Sequence, residues 1–293
     1  MNPPFDDHAG CSNGDPARSE PACPPRPYES PAMLMMTGVT LRPGGFTLTE
    51  RALDRCAFKP GDRVLDVGCG MGATVDLLTR RYHLLALGVD YSATLVSQGL
   101  AYFPDLPLLI ADAERLPFSE GRMDGVFMEC VLSTTGARDP VLAEAHRVLK
   151  TGGRLVLTDM YLREEQLEQD RPAGGDDPAG SDDPPRKKNP TRQPLAGSPG
   201  GRPRPGAVPH GCCVGGAVSK TDVEAGLSTA GFRLLWWEDH TPLLKSLAVQ
   251  IILEYGSLSS FWAEVSGTCV EPGTRPDPLY RRLGYYLAVA IRE

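Results

Sequence analysis

An α/β fold, with a doubly wound and mostly parallel sheet of seven strands, is predicted by three observations. From Arg63 onward, short β-branched or apolar runs alternate with amphipathic stretches, the order expected of strands and covering helices. The first of these runs leads straight into a glycine-rich loop and then a helix, so a strand-loop-helix unit opens the sheet. Seven such runs are counted, and the last is expected to be antiparallel.

Each element has its own signal. Arg63 to Val67 (RVLDV) reads as the first strand, and Gly72 to Arg81 as a helix that turns Val75, Leu77 and Leu78 inward. Leu84 to Val89 is the second strand. Ser92 is a suitable N-cap for a helix carrying Leu95, Val96 and Leu100. Pro107 to Ala111 and Gly125 to Cys130 are the third and fourth strands. Pro140 to Leu149 places Val141, Leu142, Ala145, Val148 and Leu149 at helical spacing, and a Gly152-Gly153 turn leads into the fifth strand, Arg154 to Met160. Thr221 with Glu224 forms a capping-box pattern for a helix that stops at Gly231. Phe232 to Glu238 is the sixth strand, Leu243 to Glu254 a helix, and Tyr285 to Ile291 (YYLAVAI) the last strand.

The 32 Gly and 28 Pro among 293 residues are unevenly spread. Eight Pro fall in residues 1–31, while 166–211 holds ten Pro and eight Gly without a collagen period. These two stretches are expected to be a disordered tail and a disordered insertion. The segments 32–165 and 212–293 then form two parts of one domain. The chain is 41% apolar, which is ample for a core.

Net charge is −7, so no global basic field exists to gather nucleic acid, and none is expected as a partner. The one basic cluster, from Arg186 to Arg204, follows four Asp residues and reads as a solvated loop. No membrane insertion is expected, since no stretch is apolar enough for long enough and no secretory pattern opens the chain. A cytoplasmic location is the default, and it makes the eight Cys reduced thiols rather than a disulfide framework. Oligomeric state is not legible.

The most informative stretch is Val64 to Ala73, VLDVGCGMGA. Gly68, Gly70 and Gly72 let a ligand approach the backbone and present amide N–H groups and a helix N-terminus to it. Gly68, Gly70 and Ala73 also satisfy the dinucleotide fingerprint, and Asp90 follows about 20 residues on. The loop alone therefore leaves NAD and S-adenosylmethionine (SAM) both open.

Three features outside the loop narrow the choice. Asp66 stands two residues before the first Gly, Ala111 to Phe118 reads ADAERLPF, and Glu144 to Leu157 reads EAHRVLKTGGRLVL. Together these make the stretch from Phe46 to Met160 resemble the class I SAM-dependent methyltransferases, in the group that includes the ubiquinone and menaquinone biosynthesis enzymes. The resemblance implies a Rossmann-like fold with SAM as cofactor at the carboxyl ends of the first strands. It also implies roles. Gly68, Gly70 and Gly72 would pass close to the methionine part of SAM, and Asp66 would organise that end. Asp90 would take both ribose hydroxyls, and Asp112 with the Ala113 amide would read the adenine edge. A small-molecule methyl acceptor is the expected partner.

Two further features bear on the acceptor. Cys130 closes the fourth strand, and Gly211 to Val218 reads GCCVGGAV ahead of a capped helix. This pair of features resembles arsenite methyltransferases, which implies Cys130 and Cys213, with Cys212 in support, as thiolate ligands for trivalent arsenic. The long insertion and the placement of Cys11, Cys23 and Cys56 depart from that pattern. Two alternatives stand beside it: a C- or O-methyltransferase of a quinone-like or phenolic metabolite, and a non-catalytic protein that binds SAM or a thiophilic ion.

Overall fold

The computed structural model describes residues 26–163, 213–266 and 279–293. The insertion, Cys212, the basic cluster and residues 1–25 of the expected tail lie outside these. Residues 26–31, expected to belong to that disordered tail, are instead ordered, as a 3-10 turn at Pro27–Glu29 and the start of α1, because Tyr28 packs against the core. In chain order the described elements are α1 (Pro31–Thr37), α2 (Thr47–Cys56), β1 (Arg63–Val67), α3 (Ala73–Arg80), β2 (Leu85–Asp90) and α4 (Ala93–Tyr102). Then come β3 (Leu108–Ile110), β4 (Met123–Glu129), α5 (Arg138–Val148), β5 (Leu149–Leu162), β6 (Val218–Ser219), α6 (Lys220–Thr229) and β7 (Phe232–Asp239). The chain finishes with α7 (Thr241–Tyr255), α8 (Leu258–Ser266), α9 (Leu279–Arg282) and β8 (Leu283–Arg292).

Strand order is β3-β2-β1-β4-β5-β8-β7, parallel except that β8 runs antiparallel to both β5 and β7. The sequence expectation of seven strands with the last reversed is met. A two-residue eighth strand, β6, pairs with the end of β5; it is too short to leave a period-two pattern.

Alternation along each strand divides the core into two faces. Val64 packs on one side with Phe127, Val156 and Leu287, beneath α2 and α3. Its neighbour Leu65 packs on the other with Val126, Leu155 and Ala288, against α5 and α6. Both faces being covered, the strands read as continuous apolar runs, and burying one such side chain stabilises the fold by about 1.5–3 kcal/mol. Helical spacing matches: Leu48, Ala52, Leu53 and Cys56 are the buried stripe of α2, and Val141, Leu142, Ala145 and Val148 that of α5. A third, smaller cluster joins α1, α7 and α8 through Met33, Ile251, Phe261 and Val265.

Ser92 caps α4 by accepting the Leu95 amide at 3.0 Å, as expected. Three details differ. The capping box of α6 is Ser219 with Asp222, not Thr221 with Glu224, since the helix starts earlier and both patterns satisfy the same spacing. Gly152-Gly153 does not interrupt β5; the strand passes through as an irregularity opposite Met123 and Gly125. Leu77, expected to turn inward on α3 with Val75 and Leu78, is only half-buried, at the edge of the helix's buried face.

β1 leads to β2 on one side and has β4 on the other, so loops leaving these strands diverge at their carboxyl ends. That divergence opens the crevice where ligands bind in open α/β sheets. Among the described residues no helix is long and apolar enough to cross a membrane.

Candidate functional site

A cavity of about 430 Å³ occupies this crevice, within the size range of small-molecule sites. The loops after β1, β2, β3 and β4 wall it with Gly68 to Gly70, Asp90 to Ser92, Ala111 to Glu114 and Cys130 to Val131. Residues 26, 28 and 29 and the stretch 39–42 close the remaining side. Of the residues singled out in the sequence, Asp66, Gly68, Gly70, Asp90, Asp112, Ala113 and Cys130 all line it. Gly72 does not. It is the N-cap of α3 with φ +81°, and its bare Cα is packed against Leu108.

The glycine loop is shaped by what surrounds it. Gly68 adopts φ +73°, and a Cβ there would stand 2.4 Å from Val131 Cγ2, so both conformation and space demand glycine. The loop is then fastened to Asp90. One carboxylate oxygen accepts the Gly70 amide at 2.7 Å, and the other accepts the Ser92 amide at 2.8 Å. Burial raises the Asp90 carboxyl above its usual range, against the pull of these two hydrogen bonds. Asp66, 2% exposed at the end of β1, is raised well above the carboxylate range, first by burial and then by Glu129. Asp112 is exposed and uses one oxygen to accept the Glu114 amide at 2.9 Å, a turn-forming contact beside the cavity.

Among the described residues, six carboxyl side chains (Glu29, Asp66, Asp90, Asp112, Glu114 and Glu129) line the cavity against two guanidinium groups, Arg26 and Arg42. Arg42 is moreover committed to Glu129 at 2.9 Å, and it donates to Thr49 at 2.7 Å and Thr74 at 3.0 Å. Such a lining favours a cationic or hydroxyl-rich ligand and disfavours a pyrophosphate. This separates the two ligands that the glycine loop leaves open.

A second, smaller cavity of about 100 Å³ adjoins the first. Tyr28, Leu41, Arg42 and Cys130 belong to both. Its remaining walls are almost wholly apolar: Met33, Met160, Leu244, Leu247, Ala248, Ile251, Phe261, Trp262 and Leu283 contribute, from α1, β5, α7, α8 and β8. Cys213 also lines it. Cys130 and Cys213 are thus brought to the same cavity, both buried. Cys130 has φ +59° and sets its Sγ 3.4 Å from the Tyr285 hydroxyl, which in turn donates to Thr158 at 3.3 Å. Burial pushes the Cys130 thiol far above the ordinary thiol range. Among the described residues no group of three or more His, Cys, Asp or Glu is arranged to hold a metal ion.

Sequence reasoning missed Tyr28, Glu29, Arg42 and Glu129. Glu129 had a signal, a charge directly after the apolar run GVFM of β4. Arg42 and Tyr28 had none, since they reach the site from segments with no strand-helix pattern.

Residues 65–157 match the family model described as a methyltransferase domain. A demethylmenaquinone methyltransferase of Beutenbergia cavernae is 35% identical over 126 residues, 42% of this chain and 52% of that protein. Methyltransferase GfsG of Streptomyces halstedii is 31% identical over 131 residues, 42% of this chain and 46% of that protein. The chain spans about half the length of these curated relatives. Among solved structures, a phosphoethanolamine N-methyltransferase 2 of Haemonchus contortus in complex with S-adenosyl-L-methionine superimposes with a TM-score of 0.59 at 17% identity, over 89% of this chain and 56% of that one. The fold is that of the class I SAM-dependent methyltransferases.

Proposed function

We propose that this chain is a SAM-dependent methyltransferase acting on an apolar small-molecule acceptor. The observation that carries the reading is the pairing of two cavities with opposite chemistry: an acid-lined one at the glycine loop and an apolar one joined to it at Tyr28, Leu41, Arg42 and Cys130.

The residues present fit the cofactor. The glycine cradle at Gly68 has no space for a side chain, the Gly70 amide is already fixed by Asp90, and the donor and acceptor set is rich in carboxylates. Gly68 and Gly70 would receive the methionine end, Asp66 its ammonium group, Asp90 the ribose hydroxyls, and Asp112 with the Ala113 amide the adenine. Bound there, SAM supplies a methyl group already activated by a positively charged sulfur. The chain's own task is placement. Fixing an acceptor in line with the methyl converts a bimolecular step to a near-unimolecular one, worth about 7–11 kcal/mol.

Acceptor chemistry follows from the second cavity. Among the described residues its one charged lining residue, Arg42, is neutralised by Glu129 and occupied by two threonines, so a phosphate or ammonium group on the acceptor would find no charged partner among them. The name of the Beutenbergia relative points to a quinone-type acceptor and that of the Haemonchus structure to a phosphorylated amine. The apolar cavity favours the first kind, a quinone-like or phenolic molecule methylated on carbon or oxygen.

A second reading, methylation of trivalent arsenic held by Cys130 and Cys213, is supported by both thiols bordering one cavity. It stands behind the first because the buried Cys130 thiol is held protonated, whereas the soft-ion ligand is the thiolate. The deciding experiment is an acceptor screen with methyl-labelled SAM, set against a naphthoquinol, catechol, phosphoethanolamine, and arsenite with excess thiol. Transfer to phosphoethanolamine alone would refute the apolar reading, and SAM binding without transfer to any acceptor would favour a non-catalytic role.

A further inference from the structure

Asp159 lies on β5 behind the site, lining neither of its two cavities, and is 2% exposed. Its carboxylate gathers three hydrogen bonds. Oδ2 accepts the Ser133 amide at 2.9 Å, while Oδ1 accepts the Met160 amide at 2.7 Å and the Ser133 hydroxyl. Ser133 sits midway along the loop 130–137 between β4 and α5. Residues on both sides of it, Cys130 and Val131 before and Thr134 to Gly136 after, line the larger cavity.

The same serine contacts a second segment. Gly216 lies so near that a Cβ on it would be 1.9 Å from the Ser133 carbonyl oxygen, and Arg138 donates to the Gly216 carbonyl at 3.2 Å. Three residues earlier, Cys213 lines the apolar cavity. One buried carboxylate therefore stands under the walls of both cavities without touching either.

We propose that Asp159 is a positioning residue, which through Ser133 fixes the loop 130–137 and, against Gly216, the segment leading from Cys213, so that both cavities keep their shape. The proposal concerns the walls of the cavity read above as the SAM site, and its binding test rests on that reading.

Supporting chemistry comes from the carboxyl's environment. Burial raises it to about 6, against the lowering effect of the hydrogen bonds from Ser133 and Met160 and of Arg138. The groups that face it are Arg138 and Asp139 of α5 and Asp222 of α6, which line a cavity of about 40 Å³ beside it, together with Tyr286 of β8 and Cys130 at the end of β4. As pH falls through about 6 the carboxylate takes a proton, and one acceptor is lost from a set of three donors.

The test compares the wild type with Asp159→Asn, which keeps the shape and removes the charge, and with Ser133→Ala, which removes a single bond. Calorimetric titration with S-adenosylhomocysteine from pH 5 to 8 and amide exchange of the peptide covering 130–137 are read together with the melting temperature. Expected are binding about tenfold weaker in Asp159→Asn at neutral pH, faster exchange over 130–137, and loss of that part of the wild-type acid limb that centres near pH 6. Asp66 and Asp90 titrate in both proteins, so the difference isolates Asp159. Ser133→Ala falls between the two.

Unchanged exchange over 130–137 in Asp159→Asn would overturn the proposal whatever the ligand result. So would a lowered melting temperature with wild-type affinity and acid limb retained, the mark of a purely structural role. Failure of the wild type to bind S-adenosylhomocysteine would instead refute the cofactor reading, leaving the exchange measurement to decide the positioning role alone.

Discussion

Arg42 and Glu129 form an ion pair of 2.9 Å whose side chains are only 6% and 3% exposed, at the boundary of the two cavities. Thr49 and Thr74 each accept from Arg42 and donate to Glu129, at 2.7–3.0 Å, so the charges are satisfied on all sides. Arg42 also donates to the Gly45 carbonyl at 3.0 Å, which ties the segment between α1 and α2 to the end of β4.

Removing one partner leaves the other buried and unpaired. Arg42→Ala is therefore expected to lower unfolding free energy by about 3–5 kcal/mol, measured by urea denaturation. A loss below about 1 kcal/mol would mean that the pair behaves as a solvated surface bridge.

The sheet was legible in the sequence because burial on both faces leaves nearly unbroken apolar runs, and one wall of the larger cavity was legible because Asp66 and Gly68 sit at fixed offsets at the end of β1 and Asp90 closes β2. What was not legible has a physical cause in each case. Arg42 and Tyr28 reach the cavity from segments without periodicity, and Asp159 acts through Ser133, 26 residues away in sequence. Leu244, Leu247, Ala248 and Ile251 line the apolar cavity at helical spacing that an ordinary core helix would share. No pattern of one helix separates a cavity wall from a packed core.

Asp90 holds the Gly70 amide while standing where ribose hydroxyls are expected, so Asp90→Ala disturbs both cradle and ligand. S-adenosylhomocysteine binding should weaken by about 1.5–3 kcal/mol in calorimetry, the range for hydrogen bonds to a charged group. Wild-type affinity in a folded variant would remove Asp90 from the site.

Glu238 on β7 collects Arg51 and Arg55 of α2, the Trp236 indole at 2.6 Å and His240 at 2.9 Å. The hydrogen bond from Arg51 is the largest of the influences that hold its carboxyl at about 2, below an ordinary value of 4.5. Because the folded value is depressed, the native state binds fewer protons than the unfolded chain in this interval. The stabilisation is fully present above about pH 4.5 and is lost as pH falls towards 2. Glu238→Gln should flatten the fall in melting temperature across that interval, and an unaltered acid transition would show that the cluster contributes nothing.

The two thiols give the clearest separation between acceptor readings. Cys130 is buried beside Tyr285 and protonated at neutral pH, so as a wall of an apolar cavity its sulfur serves packing, and Cys130→Ala leaves the chemistry of the junction intact. With a quinol acceptor, Cys130→Ala and Cys213→Ala should keep S-adenosylhomocysteine affinity and retain methyl transfer at reduced rate. Ala248→Phe, which puts a ring into the apolar cavity, should abolish transfer while leaving cofactor affinity in place. With arsenic as acceptor the pattern inverts, because each thiol is then a ligand: either cysteine variant alone would stop arsenite methylation completely, in reduced protein with added thiol. Transfer to arsenite in the wild type, lost in both cysteine variants, would place the soft ion first and make the apolar walls a shield that keeps water from it.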